Sequence, residues 1–156
     1  MRLTLAQDRY SGQAVRCGHR SWYDLYPDVR PCLQTLKNAE YFVGIAGNQT
    51  TRAGHFLREL NLPCDVLATS DDWCVTKPDV AFFSKLIAVS GHQPHEIAYV
   101  GDRLDNDLRP AAETGLRTVF VRRGLWGYII YESGTADLEL DSLSELPVGL
   151  KTLLAD

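Results

Sequence analysis

Ile97-Ala98-Tyr99-Val100-Gly101-Asp102-Arg103-Leu104-Asp105-Asn106-Asp107 is the stretch that decides the fold. An apolar run empties into a Gly-Asp turn, and further carboxylates follow. The run suits a buried parallel strand, and Gly101 permits the sharp turn that presents Asp102 at the strand's carboxyl edge. Open α/β sheets bind their ligands at that edge. A loop leading into a helix can converge Asp102 and Asp107 on one hard cation such as Mg²⁺, which takes oxygen ligands, with Asp105 and Asn106 helping through water or loop geometry. A helix cap alone would need a single acidic residue, and three stand here.

Outward from this stretch, strand and helix signals alternate with short connections, the order of a parallel sheet with flanking helices. Tyr26-Pro27-Asp28-Val29-Arg30-Pro31 opens a helix to about Asn38, and Tyr41 to Ala46 reads as a buried strand ending at Gly47-Asn48-Gln49-Thr50-Thr51. A helix from about Arg52 to Leu60 and a strand from Asp65 to Thr69 follow. Lys77-Pro78-Asp79 begins another helix, with Pro78 suited to its first position, and Ala81, Phe82, Leu86 and Ile87 supply its apolar face up to Gly91. Beyond the Ile97 strand come a helix from about Asn106 to Gly115, a strand from Thr118 to Val121, a short strand from Leu138 to Leu140 and a last helix near Val148 to Leu153.

At 156 residues and 45% hydrophobic content the chain fits one domain with a substantial core. The net charge of −4, with both signs interspersed, offers no basic run for nucleic acid or an acidic membrane, and no apolar stretch has the length of a membrane span. Partners are therefore expected to be small molecules or protein. Cys17, Cys32, Cys64 and Cys74 are widely spaced, with no C-x-x-C pair and no signal-peptide pattern, which predicts reduced thiols and a cytoplasmic location. Cys74 stands nearest the proposed site. His19, His55, His92 and His95 show no metal-ligand spacing.

From Tyr26 to about Leu146 the chain resembles the haloacid dehalogenase superfamily of hydrolases, mostly Mg²⁺-dependent phosphatases. Ile45-Ala46-Gly47-Asn48-Gln49 is similar to the family's second motif, Lys77-Pro78-Asp79 to its third, and Gly101-Asp102 to Asn106-Asp107, continuing through Ala111, Ala112 and Gly115, to its fourth. The resemblance implies a Rossmann-like parallel sheet over residues 26–156. It also implies Mg²⁺ held by Asp102 and Asp107, phosphate held by Gly47, Asn48 and Lys77, and a catalytic role for Lys77 in offsetting charge.

Two departures qualify that implication. The family's first motif, Asp-x-Asp-x-Thr after an apolar strand, supplies the attacking carboxylate and the general acid/base. In Leu3-Thr4-Leu5-Ala6-Gln7-Asp8-Arg9-Tyr10-Ser11, aligning Gln7 with the nucleophile puts Arg9 in place of the second carboxylate, and aligning Asp8 there puts Tyr10 in it. Residues 1–25 are thus either a surrogate first strand or a remnant of the family's cap. The polar Arg2, Thr4 and Gln7 favour the remnant, because a central strand is buried on both faces. The expectation is a domain truncated or degenerate at its N-terminus with a reduced or absent cap. The central slot is then filled by residues 1–7, closed by direct pairing of its neighbours, or filled from a second copy. In the second motif Gly47 stands where a hydroxyl would hold a phosphoryl oxygen, leaving its backbone N–H or a shifted Thr50 or Thr51.

The functional expectation is a phosphatase-type hydrolase acting on a small phosphorylated or anionic molecule, impaired by the missing nucleophile. The alternative is a non-catalytic phosphate- or metal-binding regulatory protein. Arg122 or Arg123, after the fourth strand, could read an anionic group bidentately, although a solvated loop is the simpler expectation. Trp22, Tyr23, Tyr26, Tyr128, Ile129, Ile130 and Tyr131 form apolar groups suited to a homodimer interface. Lys77 has either a phosphate or Asp102 as its expected partner.

Overall fold

A computed structural model of the chain describes residues 2–5, 25–124 and 135–153. Its sheet contains β1 (Arg2–Leu5), β2 (Phe42–Gly47), β3 (Val66–Thr69), β4 (Ile97–Gly101), β5 (Arg117–Val121) and β6 (Leu138–Leu140). The spatial order is β3-β2-β1-β4-β5-β6, and every neighbouring pair is parallel. The helices are α1 (Val29–Asn38), α2 (Thr51–Glu59), α3 (Ser70–Trp73), α4 (Val80–Ser90), α5 (Arg109–Glu113) and α6 (Leu146–Leu153). A wide π-type turn, Leu104–Leu108, leads into α5.

The central slot is occupied by β1, where the polarity of Arg2 and Thr4 had argued against a strand. Leu3 pairs with Val43 on one side and Ala98 on the other, and Leu5 pairs with Ile45 and Val100. The physical reason lies in the backbone. Without β1, the inner edges of β2 and β4 would leave rows of N–H and C=O groups unpaired within the sheet, and four residues satisfy both. Any backbone other than proline can form that ladder, so residue polarity is a weak veto.

Two apolar layers enclose the sheet. Leu33 and Leu36 of α1 and Leu146 and Leu150 of α6 pack with Val43, Ile45, Ala98 and Val100 on one face. Phe82, Phe83 and Leu86 of α4 pack with Ile97, Tyr99, Leu108 and Ala111 on the other. Every residue of β4 is buried, which explains its unbroken apolar run.

Most element boundaries fall within a residue or two of the sequence reading. The start of α4 differs: Pro78 precedes the helix, and the Asp79 carboxylate caps it by accepting the Ala81 N–H at 2.8 Å. α3 was not anticipated. Its capping box joins Thr69 and Asp72, with Thr69 Oγ1 accepting Asp72 N–H and Asp72 Oδ2 accepting Thr69 N–H.

Candidate functional site

The carboxyl ends of β2 and β4 and the loop after α3 bring the third and fourth motif residues together. Asn48, one residue beyond β2, spends its side-chain amide on the backbone of Lys77. Its Oδ1 accepts Lys77 N–H at 2.8 Å and its Nδ2 donates to Lys77 O at 2.9 Å. This two-point clamp fixes the chain from which the lysine side chain departs. Lys77 Nζ then donates to Asp107 Oδ1 at 2.5 Å, and both side chains are fully buried.

Asp107 is held by two further hydrogen bonds. Tyr99 Oη donates to Oδ1 at 3.3 Å, and Arg103 N–H donates to Oδ2 at 3.2 Å. Gly101 makes room for the carboxylate: a Cβ at that position would lie 2.5 Å from Asp107 Cβ and 2.8 Å from its Cγ. The wide turn thus folds Asp107 back against the end of β4.

Lys77 therefore pairs with Asp107, where the sequence reading had a phosphate or Asp102 as its partner. Both Asp107 oxygens accept protein hydrogen bonds in this arrangement. Asp105 pairs with Arg103 through Nε at 3.1 Å and Nη2 at 2.7 Å, and that contact outweighs the opposing effect of partial burial and holds its carboxyl below the usual range. Asp102, partly exposed at the end of β4, is the carboxylate best placed for a hard cation. Among the described residues no group of three His, Cys, Asp or Glu side chains is arranged to hold a metal.

Other candidate anion donors are engaged elsewhere. Thr50 Oγ1 caps α2 by accepting Ala53 N–H, and Thr51 donates through both N–H and Oγ1 to Asp71 Oδ2. Thr50 and Thr51 thus make these local contacts, and the Gly47 backbone stays at the strand end. Arg122 pairs with Asp141 at 2.7 Å. Arg123 pairs with Asp28 and lies 4.4 Å over the Tyr26 ring. Neither is arranged as the anion reader considered from sequence.

Cys32, Cys64 and Cys74 are free thiols, and burial, with a smaller contribution from the Asp28 charge, pushes Cys32 up to about 12. No described helix is long and apolar enough to cross a membrane. Gln7, Asp8, Arg9, Tyr10, Cys17, His19, Trp22, Tyr23 and Tyr128–Tyr131 lie outside the described residues. Sequence reasoning missed Tyr99 as a site neighbour, because within a wholly apolar strand nothing marks a hydroxyl as functional.

A family model for haloacid dehalogenase-like hydrolases matches residues 8–121, well over half of the chain. The chain belongs to the haloacid dehalogenase-like hydrolase family. A glyceraldehyde 3-phosphate phosphatase from Methanopyrus kandleri is 31% identical over 143 residues, a match covering 84% of this chain and 58% of the relative. The (S)-2-haloacid dehalogenase 4A of Burkholderia cepacia is 30% identical over 124 residues, covering 78% of this chain and 53% of the dehalogenase. A crystal structure of a haloacid dehalogenase-family phosphatase from Thermococcus onnurineus superposes with a TM-score of 0.71 at 31% identity, covering 81% of this chain and 58% of that one. The chain thus spans a little over half the length of these relatives. The family's parallel sheet with flanking helices is the fold described above.

Proposed function

We propose that this haloacid dehalogenase-like domain serves phosphomonoester hydrolysis with Mg²⁺, on a small phosphorylated molecule. The observation that carries the reading is the buried Lys77–Asp107 pair beside Asp102 at the carboxyl edge of β4. The phosphatase relatives, with glyceraldehyde 3-phosphate named for one of them, support the same chemistry. A fixed positive charge at the sheet edge attracts a phosphoryl group and offsets the charge that develops during transfer. Asp107 supplies the buried Lys77 side chain with its counter-charge. Asn48 holds the Lys77 backbone, and the N–H groups of Gly47 and Asn48 are the donors proposed for phosphoryl oxygens. Asp102 would hold Mg²⁺, which when bound supplies Lewis-acid neutralisation of those oxygens.

The family's pair of first-motif carboxylates is the departure, since aligning Gln7 or Asp8 with the nucleophile puts Arg9 or Tyr10 in the second position. That single departure favours a second reading, a phosphate- or metal-binding protein without turnover.

Hydrolysis of a generic aryl phosphate and of glyceraldehyde 3-phosphate, with and without Mg²⁺, tests the first reading, with Asp102→Asn as the control. Magnesium-dependent turnover that Asp102→Asn abolishes supports it. Absence of turnover from folded protein that still binds inorganic phosphate supports the second reading, and absence of both turnover and binding overturns the two together.

A further inference from the structure

Tyr99 is wholly buried, yet its hydroxyl reaches the same carboxylate oxygen as the Lys77 ammonium. Its ring is held by an aromatic series that begins with Trp73 of α3. Trp73 and Phe82 centroids are 5.0 Å apart, Phe82 and Phe83 are 5.5 Å apart, and Phe83 meets Tyr99 edge-on at 5.0 Å with a 68° interplanar angle. Phe82 and Phe83 lie on α4, which begins shortly after Lys77. One short segment therefore supplies both the ammonium and the rings that aim the Tyr99 hydroxyl at its counter-ion.

We propose that Tyr99 is a positioning residue for the Lys77 charge, acting through Asp107; the consequence for phosphate rests on the function proposed above. Asp107 Oδ1 divides its acceptor capacity between the ammonium and the hydroxyl. The hydroxyl fixes where Oδ1 stands and draws off part of its electron density, so Asp107 neutralises Lys77 less completely. More of the positive charge is then felt at the sheet edge. In a buried, weakly screened site a change of this kind is transmitted to an anion nearby without direct contact.

Tyr99→Phe is a clean test, because it keeps the ring and its edge-on contact with Phe83 and removes only the hydroxyl. Two readouts are needed, each compared with wild type in protein shown to be folded. The first is the ¹⁵N resonance and hydrogen-exchange rate of the Lys77 side-chain ammonium, which a mere packing role for Tyr99 would leave unmoved. The second is binding of inorganic phosphate in the presence of Mg²⁺. The expected result is a shifted Lys77 ammonium signal and phosphate binding weakened by about fivefold, part of the value of one charge-assisted hydrogen bond.

An unchanged Lys77 signal in folded Tyr99→Phe overturns the positioning role, and so does a shifted signal with unchanged phosphate affinity. If wild type neither binds phosphate nor hydrolyses a phosphate ester, the proposed function fails, and the Lys77 resonance alone decides the role of Tyr99. Should Tyr99→Phe not fold, the wild-type spectrum decides. A slowly exchanging Tyr99 hydroxyl proton close to the Lys77 ammonium supports the proposal, and its absence overturns it.

Discussion

Replacing Gly101 by alanine asks whether the close packing of Asp107 against the end of β4 holds the site together. The added Cβ would lie 2.5 Å from Asp107 Cβ and 2.8 Å from both Cγ and Oδ2. Carbon atoms in good contact stand about 3.5–4 Å apart, so the overlap is roughly an ångström. Asp107 cannot yield cheaply, because Lys77, Tyr99 and the Arg103 N–H all hold it. If the surroundings strain, overpacking costs about 1–3 kcal/mol. If Asp107 moves away instead, a buried pair is broken, which costs about 3–5 kcal/mol. The expectation is a loss of about 3–5 kcal/mol, and at about 2–4 °C per kcal/mol for a domain of this size Tm falls by roughly 10 °C. Gly91→Ala is the matched control: its φ of +65° disfavours a side chain, but a Cβ there meets nothing within 4 Å. It should cost about 1 kcal/mol. Urea denaturation of both variants supplies the comparison. A Gly101→Ala protein no less stable than Gly91→Ala would refute the reasoning.

Lys77→Met and Asp107→Leu should each destabilise the domain by about 3–5 kcal/mol, because each leaves one buried charge uncompensated, whereas the double variant should recover most of that loss; additive losses in urea melts would show that the two charges are not coupled. At Asp28, burial tends to raise the carboxyl pKa, but the Ser142 hydroxyl, the charge and hydrogen bond of Arg123 and the Leu143 N–H outweigh it, leaving the group below its ordinary 3.8. A depressed folded-state pKa stabilises the fold above the unfolded value, and that stability is lost as pH falls through the folded one. Asp28→Asn should therefore flatten the fall in Tm below about pH 4 relative to wild type, and an unchanged acid limb would remove Asp28 from the account.

How much of this was legible before any coordinates depended on whether a residue's role is local. The unbroken run Ile97–Val100, the turn at Gly101 and the acidic residues after it are local facts, and β4 lies where they imply. Placing β1 required a different kind of information. The polarity of Arg2 and Thr4 speaks to side-chain burial, whereas the central slot is demanded by the unpaired backbone of β2 and β4. Similarly, Pro78 looked like a helix start because its φ suits one, but the adjacent Asp79 offers the cap that fixes where α4 begins.

The ion pair was legible only in part, for a geometric reason. Lys77 has several acidic candidates in the fourth motif, and sequence order brings Asp102 to the strand end first. Asp102, immediately after Gly101, still follows the line of the strand and keeps partial exposure, which suits a cation arriving from solvent. Asp107 sits at the far side of the wide turn Leu104–Leu108, which carries it back over Gly101 into full burial. A buried carboxylate needs a compensating charge far more than an exposed one does. Lys77, itself fully buried, has the same need, so desolvation and not proximity along the chain selects Asp107 as its partner.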